Sequence, residues 1–345
     1  MSNIKVDVSA LSTGLKESRE DYEKIFGQKL VNGFAAKADM ISMPVVQKMA
    51  LVREELGNVT QPGRTGSINN PVHTLWVYKE RVAELKPAKV DISLDEDQLY
   101  KLAISFLAKK QPADPRDIHS FAGQQYLMSR IFARIGKEVN NAIIKGQIGY
   151  NYDAGNPGTS AFQGGLNLFD GLAIKLLQGY ATTGTGAVGD IPAGNKVTGA
   201  AGSVTVANIL TELGKLQDVV YNNQDLRIAE DEVGGTVWID PVWFGYIADA
   251  CDALPYKKDL VVEAAGNGEY RFKKLSKTRI IKREYMAGVG NMFWSTPDNI
   301  FYLHQDTEED IPKFKIQEIG RGIQILMDWE NNVDYADGRY LALYK

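Results

Sequence analysis

The sequence predicts an α+β fold organised around one long helix, and three observations predict it. From Asp114 to Gly146, apolar side chains recur every three or four residues over an unusually long stretch. Two regions, His73–Leu94 and Met292–Leu343, instead show the alternation and β-branched or aromatic content of strands. Between about 160 and 290, helix-like and strand-like runs alternate as in a compact α/β module.

In chain order, residues 1–18 are polar and aperiodic, and are expected to form an arm that is mobile or bound to a partner. From Arg19 to Leu56 the spacing of Tyr22, Ile25, Phe26, Leu30, Phe34, Met40, Met43, Val46, Met49 and Leu51 predicts helices divided at Gly33 and Pro44. The three methionines there suit a core or an adaptable surface. Residues 57–71 are turn-rich. The runs His73–Leu85 and Ala88–Leu94, parted by Lys86-Pro87, read together as a long two-stranded excursion, which is marginal in water unless another chain covers it. Ser93-Leu94-Asp95-Glu96 reads as a capping box opening a helix with Leu99, Leu102 and Phe106 inward.

For the long helix, Asp114 serves as N-cap and Pro115 as first residue, while Lys145 and Gly146 form the stop. Ile118, Phe121, Ala122, Met128, Phe132, Ile135, Val139, Ala142 and Ile143 make its apolar stripe; Gln124, Arg130, Arg134, Lys137, Asn140 and Asn141 make its polar side. Residues 115–145 would span about 46 Å. A globule of this length is roughly 50 Å across, so the helix either breaks at Gly123 or Gly136 or runs as the spine of a flattened body.

Residues 149–203 are rich in glycine, threonine and alanine, with one compact apolar segment at Phe169–Leu177. A helix to about Val220 follows the Ser203–Asn208 entry. Thr236–Asp240 reads as a buried strand, and Pro241 starts a helix with Trp243, Phe244, Ile247 and Ala248 inward. Strands are expected at Met292–Trp294, Asn299–His304, Lys313–Ile319, Gly322–Trp329 and Arg339–Leu343.

The totals exclude several function classes. The 345 residues are 44% hydrophobic and 24% charged, the balance of a soluble globular protein of one large or two ordinary domains. A net charge of −4 argues against a dedicated nucleic-acid binder, leaving only diffuse or local contact. Cys251 is the one cysteine, so no intrachain disulfide forms. Without a signal-peptide core or an 18-residue apolar run, the chain is expected to be made in a cytoplasm, with no membrane partner.

No motif carries chemistry. Gly184, Gly186 and Gly189 satisfy G-x-G-x-x-G, but Ala181-Thr182-Thr183 before and Asp190-Ile191-Pro192 after are loop, not the strand and helix of a dinucleotide site. His73, His119 and His304 form no H-x-x-x-H, and one cysteine cannot build a structural zinc site. A nucleophile elbow is missing, and Glu54-Glu55 and Glu308-Glu309-Asp310 sit in polar surroundings. No catalytic, cofactor-binding or metal site is therefore expected. The run Arg271, Lys273, Lys274, Lys277, Arg279, Lys282 and Arg283 suits either phosphate or acidic partners or a solvated strand.

In this order of parts, certain segments resemble the major capsid proteins of tailed bacteriophages, with the Hong Kong 97-type fold. They are Phe169-Asp170-Gly171-Leu172, Ile191-Pro192-Ala193-Gly194-Asn195, Val237-Trp238-Ile239-Asp240-Pro241, Ser295-Thr296-Pro297-Asp298-Asn299-Ile300 and Tyr340-Leu341-Ala342-Leu343-Tyr344. The resemblance implies an N-terminal arm over 1–60 and an extended loop over 61–94. A peripheral domain follows over 95–159 with spine helix 115–145, then an axial domain over 160–290 and returning peripheral strands over 291–345. It implies a shell protein, not an enzyme, that self-assembles through pentamers and hexamers around double-stranded DNA in a virion. Scaffolding, portal and decoration proteins are the further partners, and contact with packaged DNA would be non-specific. Some members crosslink through lysine and asparagine; Lys79, Lys86 and Lys89 lie in the corresponding region, without an assignable asparagine. An encapsulin-like compartment is the alternative, and a soluble nucleotide-binding α/β enzyme using 184–189 is the distant one.

Overall fold

The computed structural model describes residues 8–32, 40–56, 76–110, 121–147, 166, 168–181, 189–199, 204–253, 261–266, 269–305 and 313–345. In chain order the helices are α1 (Val8–Glu17), α2 (Arg19–Asn32), α3 (Glu96–Lys110), α4 (Phe121–Lys145), α5 (Leu172–Ala181), α6 (Ile209–Asn222), α7 (Gln224–Glu232) and α8 (Pro241–Ala253). The strands are β1 (Ile41–Val45), β2 (Lys48–Leu56), β3 (Trp76–Glu84), β4 (Lys86–Leu94), β5 (Lys196–Val197), β6 (Gly235–Ile239) and β7 (Val262–Gly266), followed by β8 (Glu269–Phe272), β9 (Thr278–Lys282), β10 (Met292–Ser295), β11 (Ile300–Gln305), β12 (Lys313–Ile319), β13 (Gly322–Tyr335) and β14 (Leu341–Tyr344). The α+β class expected from sequence is the one observed.

β13 is the strand on which the first, five-stranded sheet is built. It pairs antiparallel with β12 through its first half, with β4 along Ile323–Asn331 and with β11 over its last five residues, while β1 adds in parallel to β11. Alternate residues Ile323, Ile325, Met327 and Trp329, with Val333 and Tyr335 beyond the buried Asn331, enter one core, and residues 331–335 are buried on both faces. The β12–β13 turn is closed by Gly320, whose φ of 59° lies in the left-handed region.

The same core takes the stripe of α4. Met128, Phe132, Ile135, Val139 and Ala142 are buried there at alternating spacings of four and three, with Ile143 buried beside Ala142. α4 runs unbroken through Gly123 and Gly136, and its 25 residues are about 38 Å long. The expected N-cap Asp114 and Pro115 lie outside the described residues.

The seven-stranded sheet has the order β5-β14-β10-β6-β9-β8-β7, with β6–β9 and β5–β14 parallel and the other pairs antiparallel. Its centre is buried on both faces. Val237, Ile239, Ile280, Met292, Trp294, Ala342 and Tyr344 face a core shared with α6 and α8, where Leu213, Leu216, Phe244 and Ile247 are buried. The alternate residues Trp238, Ile281, Phe293, Leu341 and Leu343 face the core of α4. One sheet therefore welds the two cores together.

Four expectations are corrected. The stretch before residue 18 holds α1, whose Leu11 and Leu15 are buried against β12, β13 and α4. Each such leucine contributes about 1.5–3 kcal/mol, which decides against a free arm for this segment. Residues 41–56 are strands, not helix; Pro44 is tolerated because β1 is an edge strand. β3 pairs with β2, not with β4, which belongs to the first sheet. The α3 capping box is formed by Asp95 and Gln98: the Gln98 amide donates to Asp95 Oδ1 at 2.7 Å, and the Asp95 amide to Gln98 Oε1 at 3.1 Å. Ser93 is instead a strand residue opposite Gln324.

Candidate assembly surface

β2 and β3 form a two-stranded ribbon that joins neither larger sheet. Their register pairs Leu51 with Arg81 and Met49 with Ala83 on one face, and Ala50 with Val82 and Val52 with Glu80 on the other. The first face is covered: Leu51 and Ala83 pack with Val45, Leu85 and Leu303. The second is mixed: Ala50, Val52, Tyr78 and Val82 lie among Lys48, Glu80 and Glu84, and among the described residues Val52 is 56%, Tyr78 62% and Val82 55% exposed. At the foot of the ribbon, Lys48 and Lys86 hold Glu84 at 2.9 and 3.0 Å. Their hydrogen bonds and charge bring its carboxyl down to about 2, an exposed clamp that adds little stability by itself.

The ribbon is tied to the body through Asp334. Arg81 Nη2 lies 2.9 Å from Asp334 Oδ1, and Lys175 Nζ of α5 lies 3.2 Å from Oδ2, with all three side chains largely buried. The Arg81 guanidinium also stacks 4.1 Å over the Tyr335 ring, and Tyr335 Oη donates to the Gly189 carbonyl at 2.6 Å. Lys175 further donates to Asn332 Oδ1 and the Val333 carbonyl. Burial lowers its pKa, and Asp334 opposes that shift. One carboxylate thus joins the ribbon, α5 and β13.

The segments that carry the resemblance prove to be backbone joints. Gly171 donates to the Gly146 carbonyl at 2.8 Å where α4 meets α5. A Cβ on Gly171 would lie 2.5 Å from the Ala142 carbonyl oxygen, and one on Gly146 would run into that of Phe169. Asn195 is buried, donates to the Arg339 and Leu341 carbonyls at 2.8 and 2.9 Å, and accepts from Asn223, which caps α7. Asp240 caps α8 through the Val242 amide and accepts from the Gly288 amide. Asn299 receives the Asp337 amide at 2.8 Å and donates to the Asp337 carbonyl at 3.0 Å. These side chains satisfy buried backbone at crossings between strands, which is structural chemistry.

The other sequence candidates do not converge. His73, His119, Gly184, Gly186 and Glu308-Glu309-Asp310 lie outside the described residues, and Glu54-Glu55 fall in β2. His304 is buried, with Nδ1 2.8 Å from the Gln305 carbonyl. Among the described residues no group of three or more metal-ligating side chains occurs, and no helix is long and apolar enough to cross a membrane. In the basic run, Lys274 pairs with Asp218 at 2.8 Å and Lys277 with Asp231 at 3.5 Å, so part of it is solvated ion pairs. Lys86 and Lys89 are engaged by Glu84 and Asp91. Sequence reasoning missed Arg81, Lys175 and Asp334 because three distant charges give no local pattern.

No protein-family model matches the chain, and no curated protein is significantly similar to it in sequence. Solved structures match it in fold. A chain of the satellite phage P4 procapsid, solved with its size determination protein, is 13% identical, with 96% of this chain and 98% of that chain covered at a TM-score of 0.52. The capsid of the native GTA particle is 10% identical, with 90% and 89% covered at 0.52. The capsid of Myoviridae phage XM1 is 7% identical, with 90% of each chain covered at 0.50. The chain has the fold of these capsid proteins, the Hong Kong 97-type fold expected from its sequence.

Proposed function

We propose that this protein is a shell subunit, the major capsid protein of a tailed phage, which self-assembles into the icosahedral head around double-stranded DNA. The observation that carries the reading is the ribbon β2–β3: on a body with a capsid fold, it leaves the large apolar side chains Val52, Tyr78 and Val82 more than half exposed on one face among the described residues. The body covers one face of the ribbon, and a neighbouring subunit would cover the exposed Val52, Tyr78 and Val82 of the other. On this reading the ribbon is the extended loop, α4 the spine helix of a peripheral domain with the five-stranded sheet, and the seven-stranded sheet with α6 and α8 the axial domain. The strand pairing favours an extended loop between Lys48 and Glu84 over one at 61–94.

The partners are then copies of the chain in pentamers and hexamers, with scaffolding, portal and decoration proteins and non-specific contact with DNA as further ones; the location is the virion. The role is structural, not enzymatic. Assembly of Val82→Asp beside the parent tests it. Val82 is 55% exposed, so folding stability changes by about 0.5 kcal/mol. Particle formation is lost, as read by sedimentation. Normal particles from Val82→Asp would remove the ribbon from the interface.

A further inference from the structure

Two recesses flank the turn Thr296–Asn299, and their charges are opposite. On one side α7, Tyr340 and Val52 of the ribbon enclose a groove of about 420 Å³. Ile228 and Val233 are exposed along it, 45% and 51%. It also holds the carboxylates of Asp225, Glu232 and Asp298, which have no cationic partner among the described residues. Its own cation, Arg339, is taken by Asp337 at 2.8 Å. On the other side, Pro297, Met40, Ile41 and Ile281 line a cleft of about 220 Å³ that Arg279 enters from β9.

The register of β8 and β9 sets Arg271 directly opposite Arg279. Like charges so placed destabilise a strand pair. Glu263 faces Arg271 across β7–β8 and Glu269 lies in the cleft, yet neither forms an ion pair with these arginines among the described residues. Among the described residues, Asp225, Glu232 and Asp298 on one side and Arg271 and Arg279 on the other thus form no ion pair, each set beside exposed or accessible apolar surface.

We propose that these recesses are the two halves of one head-to-tail contact, in which the acidic α7 groove of one copy meets the arginine-bearing β8–β9 face of the next. The inference rests on the shell reading above and names the surfaces that close its rings. Two different surfaces on one chain make a heterologous contact, which generates rings when the rotation closes. A two-fold contact centred on the shared turn would also pair acid with arginine, but it closes at a dimer and builds no ring. Complementary charge also fixes which surfaces meet and weakens with salt.

The test is charge reversal on either side, with rescue. Glu232, Asp298, Arg271 and Arg279 are all exposed, so E232K/D298K and R271E/R279E fold as the parent does, which circular dichroism and urea unfolding verify. Each variant alone associates about tenfold or more weakly, and the quadruple variant regains assembly. An equimolar mixture of the two double variants has a further signature. Every groove finds its complement only on the other variant, so rings must alternate, and native mass spectrometry finds hexamers without pentamers.

A folded quadruple variant that fails to assemble where the parent succeeds overturns the proposal and leaves the shell reading standing. So does R271E/R279E forming normal particles that merely hold less nucleic acid, since the arginines would then face the contents. A parent that stays monomeric at every concentration overturns the shell reading, and the contact with it.

Discussion

At the scale of single residues, Asp334 has the most to lose. It neutralises two cations in a largely buried site, so Asp334→Ala leaves Arg81 and Lys175 facing each other and should cost about 3–5 kcal/mol in chemical denaturation. Arg81→Ala leaves the Lys175 pair intact and should cost less. Lys175 also sets a pH dependence. Its folded pKa lies below the ordinary 10.5, so in the alkaline window between the two values the unfolded chain binds more protons. Stability therefore rises with pH there, and Lys175→Met should flatten that rise in urea unfolding measured at several alkaline pH values. None of this was legible in the sequence, where Arg81, Lys175 and Asp334 are isolated charges. Asn195, Asp240 and Asn299 stood in segments that the resemblance picked out, but their backbone partners could not be read because they come from remote strands.

At the scale of elements, strongly periodic segments were legible and long-range pairings were not. α4 follows its stripe, and its two interior glycines do not stop it, because a buried face supplies what their low helix propensity lacks. Lys313–Ile319 was bounded correctly from alternation alone. The ribbon was misread because β3 looks equally suited to β2 or β4, and only the assembled sheet decides. α1 was missed because Leu11 and Leu15, with half-buried Val8, mark only ten residues inside a polar stretch. Two outcomes belong at this scale. Gly171→Ala drives a Cβ into the Ala142 carbonyl and should destabilise the α4–α5 joint by about 1–3 kcal/mol, read as a lower urea midpoint. Replacing residues 50–82 by a short turn should leave both larger sheets folded by circular dichroism while abolishing particles. A deletion reaching residue 90 would instead tear β4 from β13.

At the scale of the whole molecule, the closing strands do not form one group. β11, β12 and β13 build the five-stranded sheet, whereas β10 and β14 cross into the seven-stranded one, so chain order and spatial grouping part company after residue 291. Sequence texture located the α/β module but could not show that its sheet is completed by strands from the far end of the chain. The shell reading rests on the fold, and on the large apolar side chains Val52, Tyr78 and Val82 that the ribbon exposes among the described residues. Electron microscopy of the purified protein across a concentration series tests that reading most directly. The account predicts regular closed shells built of rings, with an absorbance ratio showing nucleic acid when particles are taken from producing cells. A well-folded chain that remains a monomer throughout would contradict it.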